Sequence, residues 1–108
     1  MRYMLLLGVV ISGLAQAAPP ATSQAQKDLV KYLIASEKKT IKDATWMSKA
    51  NLYVGVIDDK TDRRGLAEYV CSVAAERKAP AKMVKVVDIV KVQRSGKFEE
   101  LGRADCPS

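Results

Sequence analysis

The chain has 108 residues, with 18 lysines and arginines against 12 acids, a net charge of +6, two cysteines and no histidine. That length bounds it to one domain with a small core. The missing histidine excludes Ser-His and Cys-His nucleophile pairs and histidine zinc sites, leaving carboxylates and lysines as the main acid–base groups.

Met1-Arg2-Tyr3 carries one cation, Met4 to Leu14 is almost wholly apolar, and Ala15-Gln16-Ala17 presents small residues where a signal peptidase reads. This is the pattern of a secretory signal peptide over residues 1–17. Its apolar run is about eleven residues, short of the roughly 20 that a membrane-spanning helix needs. Cleavage after Ala17 would remove Arg2 and leave a net charge of +5 with no transmembrane segment in the mature chain. The mature protein is therefore expected beyond the inner membrane, first in the periplasm and otherwise outside the cell.

Residues 18–25 contain Pro19, Pro20 and small polar side chains, and read as a flexible leader to a single domain over 26–108. From Gln26 onward Val30, Leu33, Ile34, Ile41, Ala44 and Thr45 recur at helical spacing, which predicts an amphipathic helix ending between Ala44 and Ala50. Glu37 falls on the apolar stripe, while Lys27, Lys31, Lys38, Lys39 and Lys42 make the opposite surface basic. Trp46, the sole tryptophan, is expected in the core or sealing its edge.

Asn51 to Ile57 alternates with valine and tyrosine enrichment and predicts a strand. Asp58, Asp59 and Asp62 precede a helix carrying Leu66, Val70, Val73 and Ala74 on one face and stopped by Pro80. Thr61 or Asp62 is the expected N-cap, and the helix dipole favours the acids there. Arg63 and Arg64 are required by neither cap nor core; they pair with Asp58, Asp59 or Glu68, or else they face an anionic partner.

Met83 to Val92 predicts a central strand interrupted by Asp88, whose carboxylate needs a partner, an edge or a bulge. Arg94-Ser95-Gly96-Lys97 predicts a turn, Phe98 to Leu101 a short closing strand, and Gly102 to Ser108 a tail. The expected fold is a two-layer α+β domain in the order helix, strand, helix, strand, strand. A three-stranded sheet would have two helices on one face, with the first two strands parallel neighbours and the last two antiparallel. In an oxidising compartment Cys71 and Cys106 have one intramolecular pairing, and this disulfide would tie the second helix to the tail.

No catalytic or metal-binding motif follows from these residues, and no cofactor is expected. The neighbouring acids Asp58 and Asp59, or Glu99 and Glu100, point to opposite faces of an extended chain and make no converging pair by themselves. A calcium loop starting at Asp58 is spoiled by Lys60 at its third position and Arg63 at its sixth. The modest positive charge and few arginines argue against nucleic acid. The leading expectation is a non-catalytic interaction module of the bacterial envelope, meeting an envelope protein or anionic envelope component through Lys38, Lys39, Lys42, Arg63 and Arg64. An exported hydrolase inhibitor is the alternative, and a small carboxylate-dependent enzyme stands behind it.

Overall fold

A computed structural model describes residues 22–107. The expected signal peptide over residues 1–17 lies outside these residues, as do positions 18–21 of the expected leader. Helix α1 (Gln24–Ser36) is started by a reciprocal capping box. Gln26 N donates to Ser23 Oγ at 3.1 Å, and Ser23 N donates to Gln26 Oε1 at 3.0 Å. Gln26 is itself buried: its Nε2 donates to Lys49 O, and its carbonyl accepts from Trp46 Nε1 at 3.1 Å. Thus the first turn of α1 is fastened to the chain 20 and 23 residues on.

The helix stops at Ser36 and not beyond Ala44, because Ile41–Trp46 is a strand, β1. The misleading helical spacing has a physical origin. A register irregularity between Ile41 and Asp43 inserts an extra residue against the neighbouring strand. Ile41 and Ala44, three apart, consequently share the buried face with Trp46, as they would on a helix. Glu37 leaves the expected apolar stripe because it is the C-cap, and its carboxylate accepts from Tyr69 Oη at 3.1 Å.

Strand β2 (Asn51–Val56) follows a tight connection, and helix α2 (Arg64–Glu76) leads into β3 (Met83–Asp88). A third helix, α3 (Ile89–Ser95), and strand β4 (Glu100–Asp105) complete the described chain. The sheet has four strands, not three, in the order β1-β2-β3-β4. β2 and β3 are parallel, as a helical crossover demands, and the two outer pairings are antiparallel. The α+β character and the parallel central pair agree with the expectation; the strand count and the third helix correct it.

Residues expected at the distal end of the long valine strand belong instead to α3. Asp88 ends β3 and caps this helix, its Oδ1 accepting from Val90 N at 2.9 Å and Lys91 N at 3.3 Å. The cap overrides the β propensity of Val90 and Val92. The expected turn at Arg94–Lys97 is the end of α3, with Gly96 in the left-handed region at φ 71°. The closing strand begins at Glu100 and runs to Asp105, consuming most of the anticipated tail.

Leu52, Val54, Val56, Val84 and Val86 from the central strands are fully buried beneath Leu29 and Leu33 of α1 and Ala67 and Val70 of α2. α1 packs mainly on β1, and α2 on β3 and β4. The helix α3 lies on the opposite sheet face, where Ile89 is packed against Gly55. Cys71 and Cys106 are joined, with Cα atoms 5.3 Å apart, so the bridge ties α2 to the residue following β4. Among the described residues, no helix is long and apolar enough to cross a membrane.

Candidate functional site

The cations singled out from the sequence fall into two groups. Lys38 and Lys39 occupy the turn after α1, and Lys42 lies in β1, so they form an edge of the sheet and not a helix face. Lys42 Nζ donates to Lys38 O at 2.9 Å, folding the turn onto the strand. Lys27 and Lys31 extend this exposed surface along α1, and Lys49 extends it into the β1–β2 connection. None of these six lysines forms an ion pair among the described residues. The nearby acids are occupied otherwise: Asp28 accepts from Gln24 Nε2, Glu37 from Tyr69 Oη, and Asp43 from Ala44 N.

Arg63 and Arg64 behave differently. Arg63 is the N-cap residue of α2, and its N–H donates to Leu101 O at 3.1 Å. Its guanidinium donates to Ile57 O at 3.2 Å and pairs with Asp59 at 3.2 Å, leaving the side chain 16% exposed. Arg63 thus holds the N-cap position through its backbone, which the sequence reading did not expect, but makes no side-chain cap bond; its guanidinium pairs with Asp59, one of the pairings that reading offered. Arg64 is well exposed and contacts Asp62 at 3.8 Å, a separation at which a surface pair contributes about 0–1 kcal/mol.

The aspartates before α2 build the loop. Asp58 accepts from Lys60 N, Asp59 from both Thr61 N and Thr61 Oγ1, and Asp62 from Arg64 N. Each satisfies a backbone donor two residues ahead, which is the local bonding that favours aspartate in turns. Asp62 thereby serves an early helix amide, although Arg63 holds the N-cap position. The Thr61 hydroxyl, followed by the Thr61 amide, holds the Asp59 carboxyl below its ordinary range.

Neither adjacent acid pair converges, but a different set does. Carboxylate oxygens of Asp58, Asp88 and Glu99 lie within 4.8 Å of one another. Parallel pairing sets Val56 against Asp88, so Asp58 projects just past the same end of the sheet. Glu99 O accepts from Asp88 N, which brings the third acid alongside. Lys91 pairs with Glu99, and this hydrogen bond raises the ammonium pKa. Three such oxygens could ligate a cation or hold a proton, although Asp88 already accepts two amides and Glu99 an ammonium.

Tyr69 supplies a pH handle beside the lysine edge. Its hydroxyl donates to Glu37, and this bond raises its pKa above 10.0. A raised folded-state pKa means the contribution is complete below the unfolded value and is lost as pH rises through the folded one. Tyr69→Phe is accordingly expected to reduce the fall in stability above about pH 10, measured by urea unfolding between neutral and alkaline pH. An identical alkaline limb in the variant would refute the contribution of this bond.

Comparisons with known protein families, curated proteins and solved structures find no match to this chain.

Proposed function

We propose that this is a small exported protein of the bacterial envelope, periplasmic or secreted, acting as a non-catalytic binding module for an anionic partner. The observation that carries the reading is a run of exposed cations along one edge. Six lysines of α1, the turn after it, β1 and the β1–β2 connection are exposed and form no ion pair among the described residues; Arg77, Lys78, Lys82, Arg94 and Lys97 are likewise exposed and outside ion pairs, but lie elsewhere on the surface. Solvated like charges on one edge produce a field that steers anions, with a range of about 8–10 Å at physiological salt. An acidic face of an envelope protein and an anionic envelope component both meet that requirement. Export is supported by the amino-terminal pattern of the sequence and by the Cys71–Cys106 bridge, which suits an oxidising compartment.

Affinity capture from an envelope extract tests the reading. The wild-type protein is expected to retain a partner in low salt and to release it as ionic strength rises. Combined Lys38→Glu, Lys39→Glu and Lys42→Glu replacement should lower the salt concentration at which the partner is released while leaving the unfolding midpoint nearly unchanged, since all three side chains are exposed. Release of the partner from the folded triple variant at the same salt concentration as from wild type would sink the proposal.

The convergence of Asp58, Asp88 and Glu99 favours a carboxylate-dependent enzyme as a second reading. Release of soluble fragments from purified envelope polymers, lost in Glu99→Gln, would support it. Equal release by wild type and variant would reject it.

A further inference from the structure

We propose that the groove between α1 and the free edge of β1 seats an extended peptide segment with acidic residues at alternate positions, added beside β1 as a further strand. This specifies the partner class for the anionic-binding reading above and rests on it.

β1 is the terminal strand of the sheet. Met47 N donates inward to Asn51 O, so the antiparallel alternation turns the peptide groups of Ala44 and Trp46 outward. The outward Ala44 N–H is held by Asp43 Oδ1 at 2.8 Å. An incoming strand must therefore displace the Asp43 carboxylate to use this donor, whereas the outward Trp46 peptide group needs no such rearrangement. Beside it lies a groove of about 330 Å³ lined by Val30, Ala44, Thr45 and Trp46, with Lys27 and Lys31 on its helical wall.

Charge and spacing select the occupant. Lys27 and Lys31 are four residues apart on one helix, about 6 Å along its axis. Alternate side chains of an extended strand recur at about 6.8 Å. Acids at positions i and i+2 of a strand can therefore meet both lysines while its backbone faces Ala44 and Trp46. Apolar atoms of the peptide would cover Val30 and the rim of Trp46. Lys42 and Lys49, toward the two ends of β1, prolong the positive field along the same direction. A flat anionic surface would use these charges without requiring the groove or the strand edge.

Trp46 is the sole tryptophan and lies in the groove, so its fluorescence reports occupancy. The oxidised, exported protein is titrated with the capped peptide Glu-Val-Glu-Val-Glu-Val, with Lys-Val-Lys-Val-Lys-Val as the control. Expected results are a saturable change in Trp46 emission with the acidic peptide alone, and slowed hydrogen exchange at the Ala44 and Trp46 amides. Lys27→Glu with Lys31→Glu should weaken binding about tenfold or more, because two attractions become repulsions. Lys38→Glu with Lys39→Glu should weaken it by less than about threefold, as these charges lie outside the groove.

Peptide binding lost only in the Lys38 and Lys39 variant would overturn the groove while leaving the anionic-binding module intact. Binding to phosphatidylglycerol vesicles but not to the acidic peptide would assign the lysines to a lipid surface and overturn the peptide. Concentration-dependent dimerisation abolished by the Lys27 and Lys31 replacements would assign the edge to a second copy of the chain. Failure of the peptide to perturb Trp46 or protect the two amides would also overturn the inference. The capture experiment with the Lys38, Lys39 and Lys42 variant judges the broader function separately.

Discussion

The Cys71→Ala/Cys106→Ala protein is expected to be less stable than the oxidised wild type by about 4 kcal/mol. The bridge closes a loop with a sequence separation of 35 residues, and the chain-entropy relation gives about 4 kcal/mol for that length. For a small domain with a total stability of about 5–15 kcal/mol, this is a large share. Its structural effect should be local first. Cys106 directly follows β4, and apart from the bridge its N–H donates to Lys82 O at 2.8 Å. Without the bridge, the end of β4 depends on its ladder with β3 and on that bond to Lys82 O, since the contacts with the start of α2 are made by Leu101 and Gly102 near its beginning. Urea unfolding of both proteins checks the magnitude, and hydrogen exchange at Arg103 to Cys106 checks the location. A difference below about 1 kcal/mol would show that the bridge does not restrict the unfolded chain as that relation requires.

The parts of the fold that were readable from sequence are those in which local pattern and tertiary environment agree. Leu52, Val54 and Val56 alternate because one sheet face is covered by helices, and Val70, Val73 and Ala74 repeat because one helix face is buried. The Cys71–Cys106 pairing was readable because two cysteines allow a single internal bridge. β1 was not readable because its irregularity reproduces the three-residue spacing of a helix at Ile41 and Ala44. The reassignment of Ile89 to Ser95 turns on one side chain, Asp88. Among valines, that aspartate is better understood as a helix cap than as an interrupted strand.

The candidate site inherited both errors. Lys38, Lys39 and Lys42 were identifiable as an excess of cations, but their placement on a strand edge depends on β1 existing. The groove with Lys27, Lys31 and Trp46 likewise requires α1 to stop at Ser36 and fold back against that strand. The meeting of Asp58 with Asp88 was hidden because the expected strand ran on to Val92 with Asp88 in its interior; only its ending at Asp88 sets both acids at the carboxyl ends of parallel neighbours. Glu99 carried none, since its position depends on the path from α3 to β4.

Gly102→Ala is expected to destabilise the protein by about 3 kcal/mol or more, the upper range for overpacking a tightly filled interior. A Cβ at position 102 would lie 2.3 Å from the Arg63 carbonyl carbon, 2.5 Å from Arg64 N and 2.8 Å from Arg63 Cα. All three are backbone atoms, so no side-chain rotation can relieve the contact. Either β4 must leave β3, or the first turn of α2 must lift away. The second route breaks the Arg63 N–H to Leu101 O bond and draws the Arg63 guanidinium from Ile57 O and Asp59. Gly65 provides the internal control: nothing lies within 4 Å of a Cβ there, in the first turn of α2. Gly65→Ala should therefore stabilise by roughly 0.5–1 kcal/mol through helix propensity and unfolded-chain entropy. Opposite signs for the two glycine replacements in urea unfolding would separate steric closure at Gly102 from a general response to added methyl groups. Equal, small effects would refute the close docking of α2 on β4, and with it the structural role assigned to Arg63.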